Sequence, residues 1–204
     1  MKFKIVFLFV MLTVLFSSIA IASVYNFDEK QKAFKEFIKL KHPRIKHKNL
    51  VDIIESVEKI SKIYSIPDII LIGIISVESN FRIRATSYVN GRPLAYGLVQ
   101  IHKRVWVDKK HNMNLVTNKI IRSWRDLYSV YNNIKAGAFI LKEKIRICKT
   151  WKNRNDLDER GYDNIQECMI SMYNGTKEKK YYKKVTSAIG EIFLIRYKRS
   201  GVLR

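Results

Sequence analysis

Nine consecutive residues, Ile69–Val77, carry no charge, and Glu78 follows them directly. An amphipathic surface helix shows one apolar stripe. A stretch that is apolar on every side is stable in water only when other elements cover it all round. The run therefore predicts a helix through the middle of a domain. Ser65, with Asp68 three residues later and Pro67 between them, follows a capping-box pattern and is read as the start of that helix. The glutamate at the far end then needs an explanation, because burial works against its charge.

Around this segment the apolar spacing is helical. Phe34, Phe37 and Ile38 lie on one face of a short helix that stops before Pro43. Leu50, Ile53, Ile54, Val57, Ile60 and Tyr64 repeat at three and four residues, with Glu55, Glu58, Lys59 and Lys62 mostly opposite. Three further helices are predicted over 133–147, 164–172 and 178–197, each with one apolar stripe. The stretch TSYVNGRPLAYG differs. Its β-branched and aromatic residues flank Asn90-Gly91, a dipeptide suited to a two-residue hairpin turn. The fold class expected is mainly α, with a minor β-hairpin beside the end of the apolar helix.

The first residues read as an address rather than as part of the fold. Lys2 and Lys4 precede an apolar stretch from Ile5 to Phe16, and Ala20 and Ala22 stand at the small positions of a cleavage site. Residues 1–22 are read as a signal peptide or, if uncleaved, an N-terminal anchor. The expected location is outside the cytoplasm, in the periplasm or cell envelope. In that setting the formal net charge of +21 points to an anionic envelope polymer or to solubility. Nucleic acid is not expected as a partner, since no recognition motif accompanies the charge. Cys148 and Cys168 could pair in an oxidising compartment and close the longest polar stretch of the chain. His42, His47, His102 and His111 lack metal-ligand spacing, so neither a metal nor another cofactor is expected.

Glu78 has two readings. It is either a helix-end carboxylate paired with Arg82 or Arg84, or an acid tuned for catalysis. Apolar turns on its N-terminal side supply low-dielectric walls, and a helix C-terminus carries negative partial charge. Both favour the neutral acid. A free glutamate titrates near ~4.3, and a rise of about one to two units would make it a proton donor near neutral pH.

Five short motifs occur in order: ESNF at 78–81, YGLVQI at 96–101, NIKAGAFIL at 133–141, MYNG at 172–175 and YYKKV at 181–185. Together they resemble the soluble lytic transglycosylase catalytic domain, which has a lysozyme-like fold. The stretch NGRPLAYGLVQIHKRVW is also similar to the small transglycosylases that accompany secretion and conjugation machines. The resemblance divides the chain into residues 1–22, a helical extension over 23–48 and a catalytic domain over 49–204. It implies cleavage of the β-1,4 bond between N-acetylmuramic acid and N-acetylglucosamine, with closure of a 1,6-anhydro ring. Peptidoglycan glycan strands would be the substrate, and an envelope-spanning secretion or conjugation apparatus a further partner.

Roles then follow position by position. Glu78 would be the catalytic acid. Ser79 would touch substrate or hold the local turn. Gly97 would let the backbone pass close to Glu78. Gln100 would bind sugar or orient the acid, Tyr173 and Asn174 would line the cleft, and Tyr181 would donate a hydrogen bond to Glu78. Asn133 and Gly137 would be structural. Two positions depart from the family pattern: Val99 stands where methionine is usual, and Gly175 precedes Thr176 where the glycine normally falls one place later. Two alternatives remain at this point. A goose-type muramidase or phage lysin would use water on the same bond, and a non-catalytic cationic envelope protein would use no acid at all.

Overall fold

The computed structural model describes residues 28–109, 111, 113–152, 156–175 and 179–199. The leader reading of residues 1–22 lies outside them. Helix α1 covers 28–41 and is followed by α2 (His47–Tyr64) and α3 (Asp68–Ser79). A three-stranded antiparallel sheet comes next: β1 (Thr86–Val89), β2 (Arg92–Tyr96) and β3 (Ile101–His102), in that order. After a π-helical turn at Arg104–Asp108 and a 3-10 turn at Trp124–Tyr128, the chain returns to α-helix. These helices are α4 (Val130–Lys152), α5 (Asp156–Glu159), α6 (Ile165–Tyr173) and α7 (Lys179–Arg199). The mainly α architecture with a small β element is thus as the periodicity indicates. Among the described residues no helix is long and apolar enough to cross a membrane.

Helix α3 occupies the centre. Ile70, Leu71, Ile72, Gly73, Ile74 and Ile75 are all buried. Gly73 is where α7 comes closest: a Cβ there would stand 3.1 Å from Ile189 and 3.2 Å from Val185. That approach brings the first turn of α7 beside the last turn of α3. At the other flank α1 packs Phe34, Phe37 and Ile38 into the same core, and Lys30 pairs with Asp68 at 2.6 Å.

The start of α3 differs from the expected capping box. Ser65 is the left-handed C-cap of α2 (φ 53°), and α3 has Pro67 as its N-cap with no side-chain cap bond. Two helices meet here across three residues, so the serine ends one rather than opening the next. The end of α3 is unusual: Asn80 (φ 49°) and Phe81 (φ 61°) are both left-handed. Such backbone is costly for a bulky side chain. Compensation comes from burial of Phe81 edge-on against Phe37 at 6.0 Å and from the Asn80 amide, which donates to the Lys41 carbonyl at 2.8 Å. The α1 helix therefore clamps the backbone turn that follows Glu78.

The hairpin turns at Asn90 and Gly91, both at positive φ. Beyond the expected hairpin, β3 adds two residues paired with Ala95 and Tyr96. Cys148 on α4 and Cys168 on α6 are joined as a disulfide. Because it closes a loop of modest length, replacing both cysteines by alanine is expected to lower unfolding stability by about 3 kcal/mol, measured by denaturant titration.

Candidate active site

Glu78 stands in the last turn of α3, largely buried, and lines a cleft of about 700 Å³. The cleft runs between the sheet, α4 and the end of α6; Gln100, Tyr173 and Asn174 also line it. Tyr181, in the first turn of α7, donates its hydroxyl proton to Glu78 Oε1 at 2.6 Å. Burial raises the Glu78 pKa from 4.5 to about 7, against a smaller lowering by the Tyr181 hydrogen bond. Burial also pushes Tyr181 and Tyr173 above the ordinary tyrosine range, with the Glu78 charge adding to it. Both phenols therefore stay protonated as donors. Tyr173 gives its proton to the Val99 carbonyl at 2.9 Å.

Removal of one hydroxyl separates these effects. The bond from Tyr181 favours the charged carboxylate, so Tyr181→Phe is expected to raise the Glu78 pKa further. The alkaline limb of kcat/KM, set by loss of the acid's proton, then moves to higher pH by about half a unit or more. A pH–rate profile of the variant checks this; a limb shifted to lower pH contradicts it.

Backbone support for the site converges on Asn133, which is 1% exposed. Its Oδ1 accepts from the Val99 amide at 2.9 Å, while Nδ2 donates to the Tyr96 and Leu127 carbonyls at 3.0 and 2.9 Å. Two of these bonds hold the backbone on either side of Gly97, at Tyr96 and Val99, and the third ties it to the 3-10 turn at Leu127. Gly97 lies in this segment at φ +78°, and its amide donates to Ala85 at 2.8 Å. What presses on Gly97 is Asn133 and the Leu127 carbonyl, rather than Glu78. Gln100 is also left-handed (φ 48°) and sits in the turn, not on a helix. Its amide nitrogen donates to the Gly97 carbonyl at 2.8 Å, and no described group donates to its side-chain carbonyl. That oxygen is available to a ligand.

The remaining positions divide. Gly137 abuts Val99 and Tyr173: a Cβ would lie 2.7 Å from Val99 Cγ2 and 3.1 Å from the Tyr173 hydroxyl. The smaller residue at 99 thus packs directly under α4 and Tyr173. Ser79 is not among the cleft residues; its hydroxyl bonds back to the Ile75 carbonyl at 3.2 Å, and its own carbonyl accepts from Arg82. Arg82 therefore serves the backbone of the turn rather than pairing with Glu78. Gly175 takes the positive φ (+74°) that ends α6, and Thr176 lies outside the described residues.

Among the described residues lining the cleft, Glu78 is the one carboxylate. Asp108 pairs with Lys103 at 2.7 Å, and Asp126 caps the 3-10 turn through the Ser123 and Arg122 amides. Lys144, Trp106, His102 and Met172 also line the cleft and were not picked out from sequence. For Trp106 the signal was its place at the end of the hairpin motif. For Lys144 it was helical spacing from Gly137 and Ile140.

No curated protein and no solved structure gives a significant match to the chain. A family does: the Transglycosylase SLT domain matches residues 55–189, about two thirds of the chain. The match spans Glu78, the sheet, Asn133 and Tyr181 in one frame, and the chain belongs to the SLT transglycosylase domain family, whose transglycosylase-type function is directed at peptidoglycan.

Proposed function

We propose that the protein is a lytic transglycosylase that cleaves the β-1,4 bond between N-acetylmuramic acid and N-acetylglucosamine and leaves a 1,6-anhydro-muramic end. The observation that carries the reading is that Glu78 is the one carboxyl group among the described residues of the cleft, with the Tyr181 hydroxyl donating to it. Glu78 gives its proton to the glycosidic oxygen as that bond breaks, and positive charge develops at the muramic C1. The resulting carboxylate then removes the proton of the sugar's own 6-hydroxyl, whose oxygen bonds to C1. The acid is regenerated and no water is consumed.

One carboxylate is enough for this sequence. Glycosidases that use water or a covalent enzyme intermediate generally need a second carboxyl group about 5 to 10 Å from the first. Here the nucleophile is part of the substrate, so intramolecular attack replaces a positioned water. The Tyr181 bond supports both halves of the cycle: it holds the carboxyl group in place and stabilises the carboxylate formed after proton transfer.

Action in the cell envelope, outside the cytoplasm, completes the proposal. The basic and then apolar first 22 residues support it. Work beside an envelope-spanning secretion or conjugation apparatus is supported by the resemblance of the Asn90–Trp106 stretch.

Digestion of purified peptidoglycan followed by mass spectrometry tests the reaction. Muropeptides ending in anhydro-muramic acid are expected. Reducing ends alone would assign the chain to the muramidases, and no cleavage at all would favour the non-catalytic alternative.

A further inference from the structure

The cleft holds a cation that no described side chain neutralises. Lys144 is half-buried on α4, one turn beyond Ile140, and both residues line the cleft that contains Glu78. Its ammonium lies 5.3 Å from the centre of the Trp106 ring, over its face. Among the described residues, neither a carboxylate nor a carbonyl is bonded to it. Some other part-buried lysines do reach an acid: Lys30 reaches Asp68 at 2.6 Å and Lys41 reaches Glu191 at 2.7 Å. A charge removed from water and left with one aromatic face is poorly compensated.

The spacing along α4 is informative. Gly137 is the point where the helix touches Tyr173, whose ring feels the Glu78 charge. Seven residues of helix separate Gly137 from Lys144, a rise of about 10 Å. Lys144 thus enters the cleft wall two turns of α4 beyond the Gly137–Tyr173 contact, in the same cleft as Glu78.

We propose that Lys144, with Trp106 beneath it, is a recognition site for a carboxylate of the peptide stem carried by the glycan strand. This rests on the transglycosylase reading and names a specificity determinant for it. A sugar backbone of N-acetylated residues has no charge of its own, whereas the stems attached to muramic acid carry free carboxylates. An ammonium in a partly dehydrated wall forms a charge-assisted bond with such a group. The pull of burial agrees with this: it lowers the Lys144 pKa in the free protein, and an arriving carboxylate would offset it.

The test uses soluble glycan fragments that bear peptide stems, either with free carboxylates or with the same carboxylates amidated. Binding to Glu78→Gln protein, which does not consume the fragment, is measured by calorimetry. Amidation is expected to weaken binding about tenfold with Lys144 present. In the Lys144→Met background the two fragments should bind alike, and Lys144→Arg should restore the preference. Equal binding of both fragments to the Lys144 protein overturns the proposal, as does a preference that survives in Lys144→Met. A lysine that merely supported the fold would, on substitution, weaken both fragments together and leave their ratio unchanged. Product analysis separates the two claims. If digestion yields only reducing ends while the carboxylate preference is seen, the reaction assignment fails and this inference stands. If anhydro ends form with no preference, the inference alone fails.

Discussion

Glu78→Gln is expected to lower peptidoglycan cleavage by about a thousandfold or more while making the folded protein more stable above neutral pH. The amide keeps the shape and can still accept the Tyr181 hydroxyl, but it has no proton to give. Its effect on stability follows from linkage. In the native state the Glu78 pKa is about 7, against 4.5 as its ordinary value. Between those pH values the folded protein binds a proton that the unfolded chain has released. The native proton's contribution is thus fully present below pH 4.5 and is lost as pH rises to about 7. Above that, the wild type bears a buried carboxylate at a cost of about 3 kcal/mol, and the amide does not. Unfolding titrations of both proteins should therefore diverge at about pH 8 and converge at about pH 4. Stability lost at both values would mean that the carboxylate is structural.

Gly97→Ala should be the most damaging single methyl group in the β region. At φ +78° a side chain is strained before any contact is counted. The new Cβ would then stand 2.2 Å from Asn133 Nδ2 and 2.4 Å from the Leu127 carbonyl oxygen. The asparagine could yield only by giving up its bonds to Tyr96, Leu127 or Val99, and the carbonyl is backbone. A loss of about 4 kcal/mol is expected, a large share of a typical domain's stability, together with displacement of Gln100 from the cleft. Gly91→Ala is the control. It has a similar φ of +73° but no atom within 4 Å of the added Cβ, so about 1 kcal/mol should be lost. Equal effects in denaturant unfolding would show that the packing against Asn133 is not what fixes Gly97.

The centre of the fold was legible because its signals are local. An uncharged nine-residue run can only be buried, and Asn90-Gly91 flanked by alternating residues can hardly be anything but a tight hairpin. The remainder depends on distant partners. The π-helical turn at Arg104–Asp108 is held by Leu115 donating to the Trp106 carbonyl and by the Asn114 amide reaching Val107. Neither partner can be read from the turn's own residues. Ser65 misled for a related reason: its pattern suits a helix start, yet its φ of 53° is set by the end of α2.

Site residues show the same division. Glu78 and Tyr181 are 103 positions apart, and the close packing of α3 on α7 at Gly73 is what joins them. Motif order suggested their partnership, but only the packing supplies a reason for it. Ser79 looks chemical beside Glu78, yet its hydroxyl is used within its own helix. Lys144 looks like an ordinary surface lysine until Trp106 is folded over it.

The most direct test of the account is the titration of one carboxyl group. Carbon-13 NMR of the Glu78 side chain, assigned by its disappearance in Glu78→Gln, should give an apparent pKa of about 7 in the folded protein. A midpoint at the ordinary 4.5 would mean that Glu78 is ionised at neutral pH, and the protein would then lack the proton donor on which the proposed reaction depends.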